Sequence, residues 1–329
     1  MYCPKCGKDN PGDARVCMHH RVNFTGFTKK YNKYILFLIL IFLFFFIGTA
    51  SAKTWYVDDS GGADFTSIQD AVNAANKGDT IIVKDGTYGE NVKINKPITI
   101  KSENGAKKAI LRAKEYSDPV FEITSNYVNI IGFTVEGIIE DGQHRTDIGI
   151  YLASGIKHCT ISYNNVLNNM DGIILDNSSN NEIIENNASL NAGCGIGLYS
   201  SNNNTIIDNT ANSNYMDGIH LSYSSNNTIT GNNMSSNNCG IYVYHSSNNT
   251  VIDNSAKSNT RSTKQRGATW YWRDWKERYY TTSRSSGTCS EHYGIFIGES
   301  NNNKLSNNSI SNNEYGILLL YSYNPHSAL

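Results

Sequence analysis

Between Gly149 and Gly316 apolar and polar positions alternate in short runs, and the runs return on a fixed beat. The dipeptide Gly-Ile opens a run at Gly149, Gly172, Gly195, Gly218, Gly240, Gly294 and Gly316, in steps of 23, 23, 23, 22, 54 and 22 residues. Aliphatic residues keep the same beat at Ile161, Ile183, Ile206, Ile229, Val251 and Leu305. Each unit reads as period-2 strands separated by Asn, Ser and Gly turns, with no helical stretch. Leucine-rich repeats share the period but need several Leu and a helical segment per unit, which these units lack. The pattern predicts an all-β, three-sided parallel β-helix with coils of 22 to 23 residues. Its strands would stack about 4.8 Å apart, with Ile and Leu ladders inside.

Upstream the pattern changes twice. Ile68, Ala71, Val72 and Ala75 fall on one helical face, with Thr66 or Ser67 as cap and Gly78 as stop, which predicts a short helix closing the end of the array. Thr80–Val83 and Pro97–Ile100 read as strands of irregular first coils. Further back, Tyr34–Ile47 is an unbroken apolar run that Gly48–Ala52 extends to 19 residues without a charge, enough to cross a hydrocarbon core. Arg21, Lys29, Lys30 and Lys33 precede it, which places the N-terminus in the cytoplasm and everything from Lys53 onward outside. Ala50-Ser51-Ala52 also has the small-x-small form of a cleavage site, so an anchored protein and one secreted by cleavage after Ala52 both stay open. The expected organisation is a module over 1–22, a basic linker over 23–33, a transmembrane helix or signal sequence over 34–52, and a β-helix over 53–329.

Composition sharpens this picture. With 28 basic and 29 acidic residues the chain is no electrostatic nucleic-acid binder. Residues 164–259 hold 26 Asn, a bias that the repeat explains if Asn at each turn bonds its amide to the backbone of the next coil. At the N-terminus, Cys3-Pro-Lys-Cys6 and Cys17-Met-His-His20 form two knuckles at the spacing of a tetrahedral zinc site, with Cys3, Cys6, Cys17 and His20 as ligands. With Gly7, Asn10, Pro11 and Ala14 the stretch resembles the short zinc ribbons of many archaeal and bacterial membrane proteins, although His20 replaces their fourth Cys and Arg21 their last Gly.

Asp64-Phe-Thr-Ser-Ile-Gln-Asp-Ala-Val72, Gly78-Asp-Thr-Ile-Ile-Val-Lys-Asp-Gly-Thr-Tyr88 and Val92 resemble the opening of the pectate-lyase-like superfamily. The later coils are similar to its NosD-type branch of carbohydrate-binding and sugar-hydrolase repeats. This resemblance implies a right-handed parallel β-helix at a cell surface, with polysaccharide lyase or hydrolase activity and copper processing as alternatives to carbohydrate binding. No complete lyase, esterase or hydrolase motif is present, so the reading leans towards a non-catalytic binder with membrane and cell-envelope carbohydrate as partners. Asp171 and Asp217 stand two coils apart with Cys194 between them, roughly 10 Å at the usual strand spacing, which gives calcium no support. The His and Met residues form no cluster for copper, and His220 and His245 read as surface histidines on a turn.

Two sets of residues are candidates for ligand contact. Strict alternation turns Ile150, Ile196, Ile219 and Ile241 inward and leaves Tyr151, Gly197, His220, Tyr242 and Phe296 facing out, with Tyr199 and Tyr244 two places on. Such a stripe suits the apolar faces of sugar rings or stabilises the sheet as a ladder. The 54-residue step holds an insertion at about 260–291, basic and aromatic, with Trp270, Trp272, Arg273 and Trp275 as candidates for an anionic glycan. Finally, Cys194 and Cys239 occupy the same place two coils apart, beyond the roughly 7 Å that a disulfide spans, so they should not pair. A bridge, if one forms, would join Cys239 to Cys289 of the insertion, with free thiols as the alternative.

Overall fold

A computed structural model of the chain describes residues 51–115, 118–140, 143–144, 148–260, 271–274, 278–281, 291–322 and 326–328. The chain divides into two compact units, Met1–Ser51 and Ala52–Leu329. The proposed zinc ligands Cys3, Cys6, Cys17 and His20 and nearly all of the 34–52 span lie outside the described residues, as do Trp270, Trp275 and Cys289. Among the described residues no helix is long and apolar enough to cross a membrane.

The second unit is the parallel β-helix that the period predicts. Three stacks of parallel strands make three faces. The longest has eleven strands, from Thr54–Val57 to His326–Ala328, and carries the Ile161, Ile183, Ile206, Ile229, Val251, Leu305 ladder in register. The glycine face has nine, including every Gly-Ile strand: Ile148–Leu152, Asp171–Asp176, Ile196–Tyr199, Asp217–Ser222, Cys239–Tyr244, Tyr293–Gly298 and Tyr315–Leu320. The third face comes in two pieces of four and three strands, joined by single bridges from Asn165 through Asn187 and Thr210 to Asn233. Residues 271–274 and 278–281 pair as an antiparallel hairpin, so the insertion contains a strand pair with Trp272 opposite Tyr280 and Arg273 opposite Tyr279.

Asparagine holds the corners. Three buried columns run up the coils: Asn164, Asn186, Asn209, Asn232 and Asn254; Asn181, Asn204, Asn227 and Asn249; Asn169, Asn191, Asn214, Asn237 and Asn259. In each, the backbone N–H of one Asn donates to the side-chain oxygen of the next at 2.8 to 3.1 Å, and the amide nitrogen donates to a backbone carbonyl of the preceding coil. Ser178, Ser201, Ser224, Ser246 and Ser300 make an analogous column, three residues before the Asn181, Asn204, Asn227 and Asn249 column in the same turn. A corner breaks the strand ladder, and these side chains supply the partners that the turning backbone loses. Beside them, exposed residues such as Asn203 and Asn226 take left-handed φ of 57° and 59°, which Asn tolerates better than branched residues.

The capping helix spans Ile68–Ala74 and buries Ile68, Ala71 and Val72 on the first coils. Ser67 is its N-cap, accepting from the Asp70 N–H, and Glu90 reaches across from the next coil to accept from the Ile68 and Gln69 N–H groups, both at 2.9 Å. The stop differs from the expectation: Ala75 is already extended, and Gly78, at φ +89°, instead turns the chain into Thr80–Val83. Asp79 ties this end together, accepting from the backbone N–H of Asn76 and of Lys53, each at 2.8 Å, and from Trp55 Nε1 at 3.1 Å. Those bonds, the one from Asn76 foremost, hold its carboxyl below the ordinary 3.8. A carboxylate whose folded value is depressed stabilises fully above the unfolded value, and the effect is lost as pH falls through the folded one. Asp79→Asn is therefore expected to cost about 1 to 3 kcal/mol at neutral pH, from loss of charge-assisted bonds. The gap to wild type in urea unfolding should narrow as pH falls through 3.8 and close only below the depressed folded value.

Candidate functional site

Each Gly-Ile strand is re-phased at its glycine. In a regular strand residues 217 and 220 would face opposite sides, yet Asp217 Oδ2 and His220 Nδ1 meet at 2.8 Å. A Cβ on Gly218 would lie 2.5 Å from Met234 Cγ, in the core, and 2.8 Å from the Gly240 carbonyl. Gly218 and Ile219 thus both face inward, and Asp217 and His220 both face out. The same shift puts Asp171, Cys194, Asp217, Cys239 and Tyr293 in one outer column, next to the column of Ile174, Gly197, His220, Tyr242 and Phe296.

The outer columns are covered. Tyr151, His220, Tyr242 and Phe296 are 3 to 8 % exposed; His220 stacks on Tyr242 at 4.9 Å and 16° and Tyr242 on Phe296 at 4.7 Å and 5°, while Tyr151 donates its hydroxyl to Asp176 at 2.9 Å. Tyr199 lies over the gap left by Gly197, tilts against His220 at 5.4 Å and donates its hydroxyl to the Cys194 sulfur. Tyr244 bonds Glu299 at 2.8 Å. Burial pushes the Tyr199 and Tyr242 phenols up. His220 therefore differs from the surface turn residue expected: it lies in a strand and is buried, whereas His245 does sit in a turn, at φ 47°, stacked on Tyr223.

Under that cover is a cluster of titratable groups. Ligand atoms of Cys194, Asp217 and His220 all lie within 4.8 Å of one another, and all three residues are buried. Asp171, one coil below Cys194, accepts from the Cys194 N–H at 2.7 Å. Burial raises its carboxyl to about 6, against the pull of that bond and of His220. Burial, then the charges of Asp217 and Asp171, raise the Cys194 thiol well above its ordinary value. Cys194 is a free thiol, as is Cys159, so the expectation that Cys194 and Cys239 do not pair holds. Cys239 is disulfide-bonded, and its partner lies outside the described residues.

A second feature sits at the corner between the longest and third faces. Tyr163, Glu185 and Asp208 stack there at successive coils, each at a left-handed φ between 52° and 58°. With Asn164, Asn165, Asn186, Asn187 and Thr210 they line an open groove of about 500 Å³. Tyr163 is 54 % exposed, and its hydroxyl donates to Glu185 at 2.9 Å. The charge at this corner is anionic, with no Lys or Arg among the lining residues.

Residues 72–289, more than half of the chain, match the family model described as periplasmic copper-binding protein (NosD). The chain belongs to the NosD family. A cell surface glycoprotein of Methanothermus fervidus is 33 % identical over 142 residues, which are 43 % of this chain and 21 % of that protein. The chain thus spans about a fifth of the length of that relative. Two solved structures share the fold: the tailspike protein 2 enzymatic domain of bacteriophage CBA120 (TM-score 0.59, 15 % identity, 80 % of this chain and 40 % of that one) and pectate lyase Pel9A (TM-score 0.53, 16 % identity, 83 % and 78 %). The NosD chain is accordingly a right-handed parallel β-helix. The family description raises the question of metal, and the donors bear on it directly. A thiol and an imidazole are groups that copper and zinc accept, and Asp217 Oδ1 and Asp171 Oδ2 are buried with no hydrogen-bond partner. The Cys194, Asp217, His220 cluster therefore fits a transition ion, which the absence of any clustering in the linear sequence had not anticipated.

Proposed function

We propose that this NosD chain is a membrane-tethered, extracytoplasmic surface protein whose β-helix binds an envelope or extracellular polysaccharide, with a zinc module at Cys3, Cys6, Cys17 and His20 on the cytoplasmic side. The observation that carries the reading is the corner groove. An exposed Tyr ring beside the Glu185 and Asp208 carboxylates and the part-exposed Asn165 and Asn187 offers a stacking face and hydrogen bonds to sugar hydroxyls. The similarity to a cell surface glycoprotein supports the location, and the fold shared with a pectate lyase supports the ligand class. Tyr199 and Tyr244 on the glycine face, over the buried Tyr151, His220, Tyr242 and Phe296, and the insertion residues Trp270, Trp272, Arg273 and Trp275 would form a second contact surface, separate from the groove. A glycan array probed with the purified chain should return polysaccharides, neutral ones for the anionic groove and anionic ones for the basic insertion. Retention of none would overturn the reading.

Glu185 and Asp208 favour a second reading, a polysaccharide-active enzyme, because paired carboxylates one coil apart are the groups that glycoside hydrolysis uses. Release of reducing ends or of unsaturated sugars from a bound polysaccharide would select it, and binding without product would select the first.

A further inference from the structure

We propose that Cys194, Asp217 and His220 form a metal site on the outer surface of the glycine face, selective for a divalent transition ion of the zinc class. Four observations carry it. The three ligand atoms converge from two adjacent coils, within 4.8 Å of one another. Asp217 Oδ1 is buried without a hydrogen-bond partner, as is Asp171 Oδ2 next to it, and a buried carboxylate oxygen left unpaired is costly unless a proton or a cation meets it. The imidazole is held in place on both sides, by Tyr242 at 4.9 Å and Tyr199 at 5.4 Å, so its orientation is fixed before an ion arrives. The strand is also re-phased at Gly218, the one feature that brings residues 217 and 220 to the same side.

The donor set chooses the ion. Calcium takes six to eight oxygen ligands, and the site offers sulfur and nitrogen. Cuprous ion prefers sulfur-rich sets, and one thiolate with a carboxylate is a poor match. A thiolate, an imidazole and a carboxylate are all ligand types that zinc accepts, which leaves the fourth position to water, the Tyr199 hydroxyl or Asp171. Ligand atoms around tetrahedral zinc lie roughly 3.3 to 3.8 Å apart, given bonds of about 2.0 to 2.3 Å. The present spread, up to 4.8 Å, would close by rotation of the Cys194 and Asp217 side chains onto the fixed imidazole. Entry of the ion displaces the Cys194 thiol proton and the hydrogen bond between Asp217 and His220, and the freed Asp217 oxygen gains a partner.

The test uses the full chain carrying Cys3→Ser and Cys6→Ser, which silences the N-terminal candidate ligands, stripped with chelator and titrated with Co²⁺ and Zn²⁺. One equivalent of Co²⁺ is expected, with a thiolate-to-cobalt charge-transfer band and intense tetrahedral ligand-field bands that Zn²⁺ abolishes. Adding Cys194→Ala should remove the charge-transfer band, and adding His220→Gln should weaken the ligand-field bands and the affinity. Far-ultraviolet circular dichroism shows whether each variant keeps the β-helix. If Cys194→Ala does not, the unmutated outer site still reports through its melting temperature, which Zn²⁺ should raise and chelator restore. An unchanged cobalt spectrum in Cys194→Ala, or a parent that takes up no Co²⁺ and whose melting temperature ignores Zn²⁺, would overturn the site. Glycan binding at the corner groove is independent of these outcomes.

Discussion

Asn209→Ala is expected to destabilise the β-helix by about 3 kcal/mol or more, far beyond what an average surface Asn would cost. The Asn209 side chain lies mid-ladder and is 1 % exposed. Its oxygen accepts from the Asn186 backbone N–H at 2.9 Å and from the Asn186 amide at 3.0 Å. Its nitrogen is shared between the Ile183 and Ile207 carbonyls and Asn232 Oδ1, at 2.8 to 3.0 Å. Alanine removes all of these and strands a buried N–H on the coil below, where water has no access. Asn209→Asp keeps the acceptor but aims a negative charge at two carbonyls, so it should fare no better. Asn203→Gly makes the contrast, since Asn203 is exposed at φ 57° and glycine adopts that conformation freely. Equilibrium urea unfolding of the three variants gives the ranking; near-equal midpoints would mean that the Asn columns are decoration.

Gly195→Ala should be comparably damaging for a different reason. A Cβ there would sit 2.6 Å from the Ala188 carbonyl, 2.7 Å from Asn214 Nδ2 and 2.8 Å from the Gly218 carbonyl. Two of the three obstacles are backbone, so the coil itself must move, which overpacking data put at about 1 to 3 kcal/mol and occasionally more. The displacement falls on the residue next to Cys194, so the spacing between Cys194 and Asp217 should open as well. The expected pair of results is a lowered melting temperature and weakened Co²⁺ uptake by the outer site. A variant with wild-type stability would show that the glycine column recurs for some reason other than space.

These two substitutions also mark what the linear sequence made legible. The 22 to 23 residue period, the inward ladders and the role of Asn were readable because every coil repeats the same physical requirement at the same place. The cluster of Cys194, Asp217 and His220 was hidden by a single assumption, that alternation runs unbroken through the strand. With the glycine counted as a re-phasing point, Asp217 and His220 fall together. The available signal was the run Asp171, Cys194, Asp217, Cys239 at one position of four successive coils, where the rest of the repeat places no titratable group so regularly. The burial of the aromatic stripe was not legible, since outward alternation says which way a ring points and nothing about its neighbours. The corner groove was missed because Tyr163, Glu185 and Asp208 stand at turn positions and share no residue type.

Affinity for a polysaccharide, measured by isothermal titration on wild type, Tyr163→Ala and Asp208→Asn, tests the functional account most directly. Tyr163 is largely exposed, so its loss should leave the melting temperature unchanged. Losing one stacking face is worth about 1.4 kcal/mol, a tenfold drop in affinity, and Asp208→Asn should give a smaller one. A ligand that binds Tyr163→Ala and Asp208→Asn as tightly as wild type would contradict the assignment of the groove.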